Sequence, residues 1–279
     1  FGLGFTIGPF LGGEFSSPAE RWDFFVGTVF DTYPYLLPCV IASVLSTGSF
    51  ILALRYLPES LDLSAQSKHD RRSWGEEMKG MFTNSLSMLR KGSVGAMIWV
   101  TMLFTLGFTV MHAVFILYTE MDVANGGLGF SEKDNGRVFA MIGLFGIFTQ
   151  GALIGPLTRK FGTRRLIPYA AMTTGLGLVL VPYTQAGSAW LGLLVVCSLI
   201  AIGNGIFQPS SSTYLTQIAR NEGYELGLVM GAQESLGAFA RILGPLTGGI
   251  VWELTVRGTF PWDYHTAFHL CGFLMIVST

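Results

Sequence analysis

Arg241 and Glu234 are the two residues whose types and spacing most plainly allow chemistry. They stand seven positions apart in residues 227–254, a mostly apolar or small stretch, so a helix would carry both on one face about 10 Å apart along its axis. A guanidinium there must face a cavity or a partner, because an ionisable group at the centre of a bilayer costs several kcal/mol. The spacing suggests that Arg241 organises a central polar network and that Glu234 is its partner or a proton-carrying carboxylate. A structural salt bridge between helices is the other reading. Gln150, Asn204, Gln208 and Gln233 are amides in similarly apolar runs. Such amides line a cavity and hydrogen-bond a ligand, or they tie helices together. His112, late in residues 94–119, has an ordinary pKa near 6.5, which suits proton coupling; a satisfied histidine near the outer interface is the alternative. Phe104, Phe108, Phe115, Phe139, Phe145 and Phe148 offer aromatic walls or core packing. His265 and His269, one turn apart, lack an evident third ligand, so no metal is expected. No GxGxxG, GxxxxGK[ST] or HExxH pattern occurs, and neither an enzyme nor a cofactor is expected.

Composition identifies the elements that must position these groups. The 279 residues are 50% hydrophobic and only 13% charged, with mean hydropathy +0.50, whereas soluble domains carry about 25% charged residues. Cys39, Cys197 and Cys271 lie singly in apolar runs and read as small buried hydrophobes. Apolar stretches cover residues 1–13, 35–57, 94–119, 136–157, 166–184, 189–214, 227–254 and 264–279. The six complete ones suit the roughly 20 residues that a membrane helix needs. Starting at Phe1 inside one apolar stretch and stopping at Thr279 inside another, the chain reads as a piece of a longer protein. Residues 58–93 form the long polar segment. Within it Trp74, Met78, Met81, Phe82, Leu86 and Leu89 recur at helical spacing, as in an amphipathic helix on the membrane surface or packed on neighbouring spans.

Charge distribution sets the orientation. If the spans alternate in direction, twelve of the 17 basic residues fall on the side of residues 58–93 and four on the other, with Arg241 in the membrane. By the positive-inside rule the first side is cytoplasmic. With a formal net charge of -1 and segregated charges, no nucleic-acid partner is expected.

Two Gly/Pro stretches nearly repeat each other: GFTIGPFLGG, with Gly4, Gly8, Pro9, Gly12 and Gly13, and AFARILGPLTGG, with Gly244, Pro245, Gly248 and Gly249. Interior Gly and Pro would cost a soluble helix about 1 and 3 kcal/mol relative to Ala. In a membrane they let backbones approach closely.

The first stretch resembles the GxxxGPxxGG motif in the fifth helix of major facilitator superfamily exporters, especially twelve-span drug:proton antiporters. GPLTRKFGTRR resembles the second-half copy of that family's GxxxDRxGRR loop motif, carried by Gly155, Gly162, Arg164 and, less closely, Lys160. Arg159 stands where the family's first-half copy has Asp, so that Asp's role does not carry over. FSEKDNGRVFAMIGLFGIFTQG, IGNGIFQP and SLGAFARILGP are similar to the tetracycline/proton antiporter and its relatives. GPLTGG falls six spans after GPFLGG, as the two parallel halves of this fold require.

The resemblance implies an all-α, polytopic membrane protein of the major facilitator fold, with two six-helix bundles. Residues 1–57 would be helices five and six, 58–93 a cytoplasmic linker, and 94–279 helices seven to twelve, the last truncated; helices one to four are absent. The expected function is secondary transport by alternating access, exporting a small amphiphilic compound or drug in exchange for protons. The expected protein is a monomer in a plasma or inner membrane, with a small-molecule substrate, protons and the lipid bilayer as partners. The alternatives are a facilitator or importer of a sugar or other metabolite, and a non-transporting receptor or scaffold.

Overall fold

The computed structural model describes residues 2–58, 88–90, 92–184, 189–258 and 262–278. Residues 59–87 and Lys91 lie outside this set, and with them the expected amphipathic helix except for Leu89 at its end.

Every one of the eight apolar stretches is helical. In chain order the α-helices are α1 (Gly2–Glu14), the short α2 (Val29–Thr32), α3 (Leu36–Tyr56), α4 (Gly92–Glu120), α5 (Glu132–Phe148), α6 (Ile154–Phe161), α7 (Thr163–Leu180), α8 (Ala189–Asn221), α9 (Leu226–Thr255) and α10 (Tyr264–Val277). A π-helical turn, Thr149–Leu153, joins α5 to α6, so the two form one helical rod. Among the described residues five stretches are long and apolar enough to cross a membrane: Leu36–Tyr56, Gly92–Glu120, Glu132–Phe161, Thr163–Tyr183 and Trp190–Asn221. The 30-residue α9 has the length as well, with Glu234, Arg241 and Glu253 along it.

Several helices outrun their apolar stretches because polar residues continue them beyond the lipid. α8 extends through Arg220 to Asn221. The connection expected over 158–165 shrinks to Gly162, which stands alone between α6 and α7 at φ 76°. A side chain is strained in that left-handed region, which is why glycine sits at this turn. α5 starts with a capping box in which the Ser131 hydroxyl accepts from the Asp134 N–H and the Asp134 carboxylate accepts from the Ser131 N–H.

Packing pairs α7 with α8, α4 with α9, and α1 with α5, while α10 lies across α7 and α4 and α8 meets α5. Between them Phe104 and Phe207 stack with centroids 3.6 Å apart in a core that includes Phe115, Tyr118, Leu178, Ile200 and Phe268. The outer surface is also apolar. Leu144, Leu191, Ile242, Leu246, Leu254 and Phe273 are all exposed, an arrangement suited to lipid rather than water. α3 buries none of its residues against the other helices.

The Gly/Pro repeats occupy two helix crossings. A Cβ on Gly13 would lie 3.1 Å from the Gly136 Cα, and one on Gly136 would lie 3.0 Å from the Pro9 carbonyl, so the α1 and α5 backbones touch. A Cβ on Gly244 would lie 2.1 Å from Thr109 Oγ1, and one on Gly248 3.3 Å from the Val110 carbonyl, so α9 presses on α4 in the same way. Gly8, Gly12 and Gly249 have no such neighbour within 4 Å, and Pro245 is exposed. Gly4 lies in α1, its surroundings outside the described side chains.

Candidate functional site

A cavity of about 710 Å³ opens between α4, the π-helical turn, α8 and α9. Arg241, Glu234, Gln233, Gln150, Asn204, Gln208 and His112 all line it, although they come from four different helical segments. Local structure explains how each arrives. The π turn rotates the rod at Gln150, and π turns recur at functional sites because the extra residue re-aims side chains. Thr149 in the same turn donates to the Phe145 carbonyl at 2.7 Å. Gly205 meets it from α8, flanked by Asn204 on the cavity wall. One turn on, Gln208 and Pro209 continue that wall.

Arg241 and Glu234 reach each other along α9, Nη2 to Oε2 at 3.4 Å. The Arg241 side chain is 53% exposed and that of Glu234 75%, both facing the open cavity. Such an ion pair is worth at most about 1 kcal/mol. The pair is therefore easily exchanged: a ligand group can replace either partner with little loss.

His112 Nδ1 sits 3.0 Å from the Phe108 carbonyl, and its ring stacks on Phe139 at 5.6 Å. Of the phenylalanines singled out in the sequence, Phe108 lines the cavity, Phe104 and Phe115 are buried in the core, Phe145 packs against it and Phe148 is exposed. Sequence reasoning missed Thr101, Thr105 and Thr109. They form a polar stripe of α4 on the cavity wall. Thr101, Thr105 and Thr109 donate to the carbonyls of Met97, Thr101 and Thr105 respectively, each one turn back, at 2.9, 2.8 and 2.9 Å. Their spacing of four in an apolar helix was the available signal. The Asn204 Oδ1 is buried without a hydrogen-bond partner.

A second group of charges, also unanticipated, ties α1 to α5. The Glu14 carboxylate lies 3.4 Å from Arg21, 3.5 Å from Lys133 and 3.6 Å from Arg137. Arg21 also donates to the Gly13 carbonyl at 3.1 Å and to that of Glu14, occupying the last carbonyls of α1, where a cation is favoured. Next to this cluster, Tyr35 donates its hydroxyl to Glu132, and that hydrogen bond, with the carboxylate's charge, raises the phenol above its ordinary pKa. Glu120 accepts from Asn135 Nδ2 at 3.1 Å.

Among the loop-motif residues, Gly162 makes the turn described above, Lys160 lies over the Phe161 ring at 5.4 Å, and Gly155 has no neighbour at its Cβ position. Arg164 falls in the first turn of α7. His265 pairs with Asp263 at 2.9 Å and His269 with the Tyr183 hydroxyl at 3.2 Å. Among the described residues no group of three or more His, Cys, Asp or Glu could hold a metal.

Comparison with known proteins places this geometry in a family. Residues 1–245 match the family described as Major Facilitator Superfamily. A probable peptide/nitrate transporter of Arabidopsis thaliana is 31% identical over 90% of this chain and 54% of its own length. Multidrug resistance protein 2 of Bacillus subtilis is 27% identical over 99% of this chain and 59% of its own. The class H tetracycline resistance protein of Pasteurella multocida is 23% identical over 92% and 56%. The chain thus spans little more than half the length of these relatives. A mutant peptide transporter POT solved with alafosfalin shares the fold at a TM-score of 0.50 and 20% identity, over 71% of this chain and 40% of that one.

Proposed function

Because this integral membrane chain belongs to the Major Facilitator Superfamily, we propose that it is the larger part of a secondary transporter that exports a small amphiphilic compound in exchange for protons. On this reading residues 1–57 belong to one bundle, 58–93 link the bundles, and 94–279 form the other. The protein acts as a monomer in a plasma or inner membrane. The observation that carries the reading is the 710 Å³ cavity, which combines an exchangeable ion pair, four amides and a threonine stripe with apolar walls at Phe108 and Ile154. That volume suits a drug-sized molecule. Its few polar groups fix orientation while the apolar remainder accepts an amphiphile.

The chemistry follows from the weak pair. Ionised Glu234 holds the Arg241 guanidinium. A proton on Glu234 removes that attraction and releases Arg241 to the substrate, so proton and substrate compete through one side chain. The helix crossing at Gly13–Gly136 joins the two bundles and is a bearing surface about which they rock in alternating access, while that at Gly244–Thr109 holds two helices of the second bundle together. The outward direction rests on the exporter-like GPFLGG stretch and on relatives named for multidrug and tetracycline resistance.

A proton-gradient-dependent efflux assay on the full-length protein tests this. Arg241→Ala should abolish efflux while leaving membrane insertion intact, and Glu234→Gln should leave binding but uncouple it from the gradient. Full transport by Arg241→Ala would leave the pair a structural salt bridge. A second reading is uptake of an anionic metabolite, favoured by the cavity-facing guanidinium and by the relative named as a peptide/nitrate transporter. Substrate entry unaffected by collapsing the proton gradient would select it.

A further inference from the structure

A second cavity, of about 450 Å³, lies between α1, α4, α5 and Tyr35. His112 lines both it and the central cavity, so the two adjoin at that ring. Its lining includes the hydroxyls of Ser16 and Tyr35, but both are committed as donors, to the Gly13 carbonyl and to Glu132. Glu120 and Glu132 contribute carboxylates. Asn135 is 6% exposed, and its Nδ2 is committed to Glu120 at 3.1 Å. That bond fixes the orientation of the amide, because the reverse would set its oxygen against the carboxylate. The Asn135 Oδ1 is consequently left buried without a hydrogen-bond partner, in a side chain that lines the cavity. A buried acceptor in this state is a standing vacancy for an N–H donor. The nearby cations do not fill it: Lys133 and Arg137 are drawn to Glu14, and Arg137 also to Asp134. The remaining walls are apolar, with Phe139, Ile116 and Pro9.

We propose that this second cavity binds the protonated amine of an aromatic or otherwise apolar molecule, its N–H groups donating to Asn135 Oδ1 and the Glu120 carboxylate and its body lying against Phe139. The volume is roughly that of fifteen waters at about 30 Å³ each, ample for such a molecule. Adjoining the central cavity across His112, the site is a second station for a cationic substrate beside the first. In this it rests on the transport reading above.

The test uses the full-length protein in lipid nanodiscs and two fluorescent probes, monodansylcadaverine, a primary ammonium, and its neutral N-acetyl derivative. Titration should show the ammonium binding roughly tenfold or more tightly than the neutral probe, a tenfold change corresponding to about 1.4 kcal/mol. Asn135→Leu and Glu120→Gln should each weaken one class of site by about tenfold, also in a Glu234→Gln background in which the central pair is gone. Glu120→Gln keeps an acceptor for the Asn135 amide, so its effect reads the lost charge and not a lost fold, and it decides the matter if Asn135→Leu is unstable. Equal binding of the two probes, or wild-type affinity in Glu120→Gln, overturns the proposal. Binding requires no transport, so the two readings fail separately. A protein that binds the ammonium in the predicted way but moves nothing loses the transport function and keeps the site. One that exports substrate with unchanged ammonium affinity in Glu120→Gln keeps the function and loses the site.

Discussion

Gly244→Ala and Gly249→Ala change two glycines of one motif and should have opposite effects. At Gly244 the added carbon would lie 2.1 Å from Thr109 Oγ1, 2.6 Å from its Cβ and 3.1 Å from its carbonyl carbon. The Thr109 side chain cannot yield freely, since its hydroxyl lies 2.9 Å from the Thr105 carbonyl and 3.0 Å from that of Leu106. Turning it away forfeits a hydrogen bond worth about 1 kcal/mol. Forcing α4 and α9 apart instead costs about 1–3 kcal/mol, the range for overpacking. Alanine returns about 1 kcal/mol of helix propensity at either position. The net expectation is a loss of up to about 2 kcal/mol for Gly244→Ala. Gly249, with nothing within 4 Å of its Cβ position, should gain up to about 1 kcal/mol. The measurement is equilibrium unfolding of the full-length protein in mixed micelles. A double-mutant cycle with Thr109→Gly removes both offending side-chain atoms, and Gly244→Ala should then be less harmful by more than about 1 kcal/mol. Equal effects at the two glycines, or additivity within about 0.5 kcal/mol in the cycle, would refute the α4–α9 contact as the reason for Gly244.

The α1–α5 crossing invites the matching comparison. Gly136→Ala meets backbone on both sides, the Pro9 carbonyl at 3.0 Å and the Gly13 Cα at 3.1 Å, and should be destabilising by up to about 2 kcal/mol and slow the transport cycle, whereas Gly12→Ala, like Gly249→Ala, should gain up to about 1 kcal/mol and leave efflux unchanged. Gly162→Ala places a side chain at φ 76°, ψ 153° in the turn between α6 and α7, a region open essentially to glycine alone, and should lower stability by about 1–3 kcal/mol, with Gly162→Asn no better; thermal unfolding of the three proteins reads this. Thr105→Val keeps the shape of the cavity wall but removes a hydroxyl, so substrate affinity should fall with little change in unfolding midpoint, as ligand titration would show.

Much of this architecture is legible in one dimension because a bilayer leaves few choices. Backbone groups in lipid must be satisfied within a helix, so an apolar run of sufficient length is a helix, and all eight runs are. The amides and charges of the central cavity were legible for the same reason: Gln150, Asn204, Gln208 and Arg241 stand out because polarity is costly where they lie. The threonines of α4 did not stand out, since each satisfies its hydroxyl on its own helix and is tolerated anywhere in a span. Glu14, Glu120 and Asn135 were overlooked for a different reason. They lie at helix ends, where sequence cannot separate a solvated charge from one that joins two helices.

The sequence by itself determined that the eight apolar stretches are helical and marked the handful of polar residues that lipid would not tolerate unaccompanied. Only the tertiary structure decided which of those residues meet. It set Arg241 on a cavity wall in a loose pair with Glu234, and it separated Gly13, Gly244 and Gly248, which carry helix crossings, from Gly8, Gly12 and Gly249, which do not. The physical reason is that burial in lipid acts on one segment at a time, whereas a cavity and a backbone contact each need two helices, and their relative rotation is set by packing among all of them.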